Sequence, residues 1–157
     1  MNKIVSIKPS KRGERIYMEG SSIKMKSGGG SKYWYIFVDE ATGLKQSIFT
    51  PTKSELAISG LKFLKKMKNK EIEIQKIRCD NAGENNSLQA TCKAEGLGIT
   101  FEYTAPGTPQ QNGRAERKFQ TLYGHVRAMI HGSGLEKSVG DSLWPEAANT
   151  ATDLDAY

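Results

Sequence analysis

Residues 32–39, Lys-Tyr-Trp-Tyr-Ile-Phe-Val-Asp, contain the longest apolar run of the chain, from Tyr33 to Val38. Aromatic and β-branched residues fill this segment, which is typical of a β-strand. An extended segment that is apolar on both faces indicates a strand inside a sheet rather than one with a solvated face. The segment therefore predicts an interior β-strand, and the flanking sequence supplies its neighbours.

Short strands are predicted on both sides of this segment. Arg15–Glu19 can form a strand before it, separated from it by a turn over 21–31 that contains three consecutive glycines. Leu44–Pro51 can form a third strand after a turn at residues 41–43. Short connections of this kind join antiparallel neighbours, so residues 15–51 predict an antiparallel β-meander.

The apolar period changes after the meander. Ala57, Leu61, Leu64 and Met67 recur every three to four residues, which predicts an amphipathic helix over 53–69. The next elements predicted are a strand at Ile72–Ile77, a short helix opened by a capping box of Asn81 and Glu84, and a strand at Ile99–Tyr103. A loop over 104–113, a long helix through Ile130 and a last helix through Leu143–Leu154 are predicted to follow. Three meander strands followed by alternating strands and helices predict an α/β fold, with a mixed five-stranded sheet flanked by helices.

Length and composition bound the class of protein. The 157 residues correspond to about one domain, with 1–13 as a loose basic arm and 14–157 as the folded domain. No apolar run approaches the ~20 residues of a membrane-spanning helix, and the N-terminus has no signal-peptide core. The two cysteines are too few for a disulfide scaffold, so an intracellular location is expected.

The charge is distributed unevenly. The formal net charge is +6, but residues 1–80 carry 17 Lys and Arg against 8 Asp and Glu, whereas the remainder is net acidic. A basic chain is suited to an anionic partner such as nucleic acid. The lysines at 62, 65, 66, 68 and 70 are explained equally well as the solvated face of one helix.

Three carboxylates are candidates for a metal site. Glu19 is predicted to end the first strand, Asp80 follows the fourth, and Glu116 is predicted in the first turn of the long helix. Carboxylate oxygens are ligands that Mg²⁺ prefers, and two adjacent ions can stabilise the attacking and leaving oxygens of a phosphodiester reaction. Each acid also has a simpler interpretation. Glu19 can be an exposed acid, Asp80 a turn residue at a strand end, and Glu116 a charge that complements the helix dipole.

Two sequence blocks carry a family resemblance. Ile-Arg-Cys-Asp-Asn-Ala-Gly-Glu at 77–84 and Pro-Gly-Thr-Pro-Gln-Gln-Asn-Gly-Arg-Ala-Glu-Arg-Lys at 106–118 resemble the second and third catalytic blocks of retroviral-type integrases. The copia-type branch of LTR retrotransposons is the most similar. The 35 residues between Asp80 and Glu116 match the D,D-35-E signature of the family, and the resemblance runs from about Gly13 to Tyr157.

The resemblance implies a ribonuclease-H-like fold and metal-dependent DNA processing and strand transfer. Asp80 and Glu116, with Glu19 at the position of the first acid, would hold two Mg²⁺ or Mn²⁺ ions. Residues 110–113 would form a mobile loop that touches the DNA end. The DNA-binding residues implied are Gln111, Asn112, Arg114, Arg117 and Lys118. DNA would be the partner, with a possible homo-oligomer, no membrane, no small-molecule cofactor and a nuclear location in a functional protein.

The chain departs from the family pattern at its first acid. Glu19 stands where the family normally has Asp, and the extra methylene moves the carboxylate by more than ~1 Å, which predicts weakened activity. Asp39 on the neighbouring strand is a weaker substitute candidate. The zinc domain of full-length integrases is not expected here. Zinc binding by Cys79, Cys92 and the two histidines is disfavoured, because twelve residues separate the cysteines.

Two alternative functions remain open at the level of sequence. One is a retrotransposon remnant of the same fold that binds DNA or a partner and does little chemistry. The other is a ribonuclease-H-like nuclease that acts on RNA–DNA hybrids. The Pro-Gln-Gln-Asn-Gly segment before Glu116 favours the integrase over this nuclease.

Overall fold

A mixed five-stranded sheet with helices on both faces organises the protein. The computed structural model describes residues 9–105 and 109–155, without the side chains of residues 109–112, 114 and 115. The strands are β1 (Ile16–Ser22), β2 (Tyr33–Asp39), β3 (Lys45–Thr50), β4 (Lys76–Cys79) and β5 (Thr100–Tyr103). The helices are a 3₁₀ turn (Lys53–Glu55), α1 (Leu56–Asn69), α2 (Gly83–Ala94), α3 (Pro109–Gly132), α4 (Lys137–Ser142) and α5 (Trp144–Leu154).

The strand order is β3-β2-β1-β4-β5. The meander β1-β2-β3 is antiparallel, and β4 and β5 continue the sheet parallel to β1. The predicted mixed sheet is thus confirmed, and β2 is an interior strand paired on both edges. No helix within the described residues is long and apolar enough to cross a membrane.

The alternating residues of β2 divide the core in two. Tyr35 and Phe37 point to the face covered by α1 and α2, whereas Trp34, Ile36 and Val38 point to the face covered by α3 and α5. Successive side chains of a strand face opposite sides, so a strand apolar on both faces anchors both layers. This arrangement explains why residues 33–38 contain no polar position.

A polar chain crosses the second of these layers. The indole Nε1 of the fully buried Trp34 donates to Ser47 Oγ at 2.9 Å, and Ser47 Oγ lies 2.6 Å from Thr152 Oγ1. Thr152 in turn donates to the carbonyl of Ala148 at 2.7 Å. The chain links β2, β3 and α5, and it satisfies groups that would be costly to bury unpaired.

Several predicted boundaries were wrong. β1 extends to Ser22 because its last three residues pair with Tyr33–Tyr35, so Glu19 lies within the strand and not at its end. β4 begins at Lys76 rather than at residue 72, since its ladder contacts with β1 and β5 begin there. The last helical region is two helices, with α4 before α5.

The starts of two helices also differ from the prediction. α2 begins at Gly83 after Ala82, and no side chain caps it, so the capping box of Asn81 and Glu84 is absent. α3 begins at Pro109, where a proline fits the first turn because the N–H it lacks has no helical partner there. Residues 109–113 are therefore helical, not part of a loop.

The polar chain allows a test of the fold. Ser47→Ala is expected to lower the free energy of unfolding by about 1–3 kcal/mol, because Trp34 Nε1 would be left buried without an acceptor. Urea unfolding would measure the change. Ser87→Ala removes an exposed hydroxyl on α2 and is the control, with an expected effect within about 0.5 kcal/mol. Equal effects of the two substitutions would contradict the proposed contribution of this polar chain to stability.

Candidate catalytic site

The register between β1 and β4 brings two of the predicted acids side by side. Ile16 pairs with Ile77 and Tyr17 with Arg78 in the parallel ladder, so the same offset sets Glu19 level with Asp80. Glu19 is two residues beyond Tyr17, which packs in the core layer under α3, and therefore points to that face. Both acids thus lie towards the carboxyl end of the parallel strands, the edge where α/β sheets commonly bind ligands.

Helix α3 brings the third acid to the same face. The hydroxyl of Tyr123 donates to Ser21 Oγ on β1 at 2.7 Å, which ties the middle of α3 to this edge of the sheet. Glu116 precedes Tyr123 by seven residues, so it lies on the same side of the helix, about 10 Å along its axis. Its carboxylate is exposed. Glu116 is the eighth residue of α3, not a first-turn residue as predicted.

Glu19 lies within electrostatic range of the other two acids. The pKa of Glu19 is raised from 4.5 to about 7, first by burial and then by the negative charges of Glu116 and Asp80. Glu19 Oε2 is buried and has no hydrogen-bond partner in the part of the chain that the structure describes. A half-buried carboxyl with two acidic neighbours and an unsatisfied oxygen is typical of a functional site.

Asp80 is held by a residue that the sequence did not single out. Asn85 is buried in the first turn of α2, and its Nδ2 donates to Asp80 Oδ1 at 2.7 Å and to the Asp80 carbonyl at 3.1 Å. The amide of Ala82 also donates to Asp80 Oδ1, at 3.2 Å. These bonds orient the carboxylate through Oδ1 and the backbone carbonyl. Asn85 follows Asp80 by five residues at a strand-to-helix turn, a spacing that carries no recognisable signal without the fold.

The carboxylate oxygens of the three acids are donors that fit a divalent cation. Carboxylate oxygens suit Mg²⁺ or Mn²⁺, and the unpaired Glu19 Oε2 lacks a positive partner. Within residues 9–105 and 109–155, no three His, Cys, Asp or Glu side chains lie close enough together to hold a metal ion. The acids share one edge at electrostatic range, and the metal-ligand assignment stays a prediction.

The predicted DNA-binding residues all lie on α3. The side chains of Gln111, Asn112 and Arg114 are outside the described residues, and their backbone is helical, so the prediction of a loop over residues 110–113 was wrong. Arg117 is exposed and lines a cleft of about 380 Å³ with Lys118, Tyr17 and Glu40 among others. Lys118 Nζ lies 3.8 Å from Asp155 Oδ2.

The substitute acid Asp39 lines the same cleft as Arg117 and Lys118, but its carboxylate is engaged in local turns. Asp39 pairs with Ile16 at the start of β1, whereas Glu19 is the middle residue of this strand and pairs with Ile36. Its Oδ1 accepts a hydrogen bond from the amide of Gly13 at 2.9 Å, and its Oδ2 accepts bonds from the amide and hydroxyl of Thr42. Asp39 is therefore a structural residue that closes two turns and does not replace Glu19.

The cysteines and histidines occupy separate parts of the molecule. Cys79 and Cys92 are buried in the core between the sheet and the layer of α1 and α2. His125 and His131 lie exposed on α3, which covers the other face of the sheet. The sheet separates the two pairs, and burial raises the pKa of both thiols.

The raised pKa of Glu19 predicts a pH-dependent stability in metal-free buffer. The folded state binds more protons at Glu19 than the unfolded chain between about pH 4.5 and 7, so the contribution of this residue to stability falls as the pH rises through that window. Glu19→Gln should raise the free energy of unfolding by about 1–2 kcal/mol near pH 8, after allowance for partial solvent exposure, and by little near pH 5.

Urea unfolding in EDTA at the two pH values would measure this difference. Glu146→Gln, at an exposed position on α5, is the control and should leave the pH dependence of stability unchanged. A gain from Glu19→Gln that is equal at both pH values would show that the Glu19 carboxyl is not perturbed.

Comparisons with known proteins agree with the fold and the sequence blocks. No protein-family model matches the chain. The "Retrovirus-related Pol polyprotein from transposon TNT 1-94" of Nicotiana tabacum is 34% identical over 133 residues, which cover 84% of this chain and 10% of that polyprotein. The chain thus spans about a tenth of the length of the curated relative it matches.

Solved structures add the fold. The crystal structure of the catalytic core domain of BIV integrase has a TM-score of 0.56 at 20% identity, covering 84% of this chain and 80% of that one. A chain of the cryo-EM structure of the simian T-cell lymphotropic virus intasome in complex with PP2A regulatory subunit B56 gamma has a TM-score of 0.68 at 16% identity, covering 93% and 49%. The chain therefore has the ribonuclease-H-like fold of a retroviral integrase catalytic core, and its predicted resemblance to the copia-type retrotransposon branch is confirmed.

Proposed function

We propose that this chain is an integrase catalytic core that processes DNA ends and joins them to a target DNA. The fold and the similarity to a retrotransposon Pol polyprotein support an integrase-family function. The observation that carries the catalytic proposal is the position of Glu19, which the β1–β4 register sets level with Asp80 on the sheet face covered by α3, the helix that carries Glu116. DNA as the partner, a homo-oligomeric assembly and a nuclear location belong to the same proposal.

In this proposal the three carboxylates hold Mg²⁺ or Mn²⁺. When bound, two such ions would stabilise the attacking and leaving oxygens of a phosphodiester reaction. Asn85 keeps Asp80 oriented, and the exposed carboxylate of Glu116 is accessible to a cation that would contact a DNA phosphate. With its pKa raised to about 7, Glu19 is partly protonated near neutral pH in the absence of a cation, so metal binding would release protons and strengthen as the pH rises.

The basic residues of α3 have a supporting role. Arg117 is exposed and can contact phosphate oxygens, and Gln111, Asn112 and Arg114 are proposed to lie near the DNA end. Lys118 lies beside Asp155, which also pairs with Lys45, so a DNA phosphate would compete with a carboxylate for this ammonium group. Arg117 is accordingly expected to contribute more to DNA affinity than Lys118.

A second candidate is a remnant that binds DNA without efficient chemistry. It is favoured by the spacing of the acids, because no three carboxylates of the described residues form a metal-holding group. The glutamate at position 19 favours it too, since a longer side chain sets its carboxylate differently from the aspartate that is usual in the family.

Catalysis is tested by Mn²⁺-dependent strand transfer and disintegration assays. Asp80→Asn should abolish the activity of the wild type, because it removes the charge of the best-oriented acid. Glu19→Asp should raise activity by up to about 100-fold, the order of effect that a ~1 Å displacement of a catalytic group has. Asp153→Asn, at an exposed position on α5, is the control and should have no effect.

The outcomes separate the candidates. If wild type and Glu19→Asp are both inactive while folded, the catalytic proposal is wrong and the DNA-binding remnant is supported. Full activity of Asp80→Asn would refute the ligand assignment. Faster cleavage of an RNA–DNA hybrid than of duplex DNA would favour the ribonuclease-H-like nuclease.

Metal binding has a readout that needs no catalysis. Mn²⁺ at about 100 times its dissociation constant should raise the free energy of unfolding by about 2.7 kcal/mol. This stabilisation should be lost in Asp80→Asn and retained in Asp153→Asn, as measured by urea unfolding with Mn²⁺ and with EDTA. Equal stabilisation of both variants would place the metal elsewhere.

A further inference from the structure

The loop that joins β1 to β2 carries an unneutralised positive charge. Residues 23–32, here named the lysine loop, contain Lys24, Lys26 and Lys32, and no Asp or Glu occurs between residues 20 and 38. All three side chains are exposed. Within the described residues none of the three forms an ion pair, whereas Lys45, Lys65, Lys76 and Lys137 each have a carboxylate partner.

The lysine loop has a fixed backbone. Its Ser27 is buried, and Ser27 Oγ accepts from the amide of Ser31 at 2.8 Å while the Ser27 amide donates to the carbonyl of Ser31 at 2.9 Å. Gly30, at a φ of +92°, makes the turn between them possible.

Two further bonds attach the loop to the helices beside it. The Gly28 amide donates to the carbonyl of Ser142 at 3.0 Å, and Trp144 Nε1 donates to the carbonyl of Met25 at 2.8 Å. These bonds hold the loop against α4 and α5. The three charges are therefore presented from a backbone that loses little entropy when a ligand binds.

The lysine loop follows the carboxyl end of β1, the strand that carries Glu19. It begins directly after β1, and Lys24 follows Glu19 by five residues, which span at most about 17 Å. At 3.4 Å per base pair this distance corresponds to about five base pairs of DNA. A duplex whose end lies at the carboxylates thus reaches the loop if it runs along β1.

We propose that the lysine loop binds the phosphate backbone of the DNA several base pairs from the end held at Glu19, Asp80 and Glu116. The inference rests on the proposed function and adds a second contact surface to it. Lysine ammonium groups are point charges that bind phosphates without reading bases, so the contact increases affinity and sets orientation but carries no sequence information.

A second group of unpaired lysines supplies the matched control. Lys62, Lys66 and Lys68 are exposed on α1 and have no ion pair among the described residues. Helix α1 covers the face of the sheet opposite to α3 and the carboxylates, so its lysines lie away from the proposed DNA path. A triple substitution on either surface changes the net charge by the same three units.

The experiment compares Lys24→Gln/Lys26→Gln/Lys32→Gln with Lys62→Gln/Lys66→Gln/Lys68→Gln. Affinity for a labelled DNA duplex is measured in EDTA by fluorescence anisotropy over a range of salt concentrations. The loop variant should bind at least about tenfold more weakly near 0.1 M salt, and its log–log salt slope should fall by about 0.9 for each DNA phosphate that the loop no longer neutralises. The α1 variant should change by less than about threefold. The variant Lys24→Arg/Lys26→Arg/Lys32→Arg should retain the wild-type affinity.

Equal losses of affinity in the two triple variants would overturn the inference, and so would wild-type affinity in the loop variant. Circular dichroism and urea unfolding establish that both variants are folded. The binding assay needs neither metal nor catalysis, so a failure here leaves the strand-transfer test intact. Conversely, an inactive wild type whose DNA affinity falls only in the loop variant refutes the catalytic proposal and keeps the DNA surface.

Discussion

The burial of both faces of β2 is the constraint on which the other elements depend. Tyr35 and Phe37 complete one core layer and Trp34, Ile36 and Val38 the other, so both helical layers pack on a single strand. The same strand fixes the register of β1, in which Glu19 is opposite Ile36. A slip of one residue would move Glu19 to the other face of the sheet, away from α3. The hydrophobic pattern of β2 therefore also orients the candidate site.

The candidate site lowers the stability of the folded state locally. Glu19 is half-buried, its Oε2 has no partner among the described residues, and burial together with the charges of Glu116 and Asp80 raises its pKa. Such an arrangement lowers the stability of the fold and persists only because the packing of the surrounding core holds these residues in place. Asn85 restrains Asp80 from the start of α2, and the Tyr123–Ser21 bond restrains α3 over β1. A divalent cation would relieve the repulsion, which is the physical link between this fold and the proposed chemistry.

The order of strands and helices could be predicted because each long element has its own apolar period. The predicted element boundaries that were wrong are those set by contacts with other elements. β1 runs on to Ser22 because β2 offers residues to pair with, and the cap expected from Asn81 and Glu84 is absent because Asp80 and Asn85 organise that turn instead. The apolar stripe of α1 is also rotated: Leu56 and Gly60 are buried with Leu64, whereas Ala57 and Leu61 are half-exposed, because packing against α2 decides which side faces inward.

The amino-acid sequence by itself determined the α/β class, the interior strand, the two sequence blocks and the spacing of Asp80 and Glu116, since all of these are local patterns or separations along the chain. Only the tertiary structure decided that Glu19 lies level with Asp80, that Asp39 pairs at the start of β1, and that the lysine loop is attached to α4 and α5. These relations join residues tens of positions apart through strand register and helix packing. No local propensity encodes such distances, because they arise only when the two core layers close on β2.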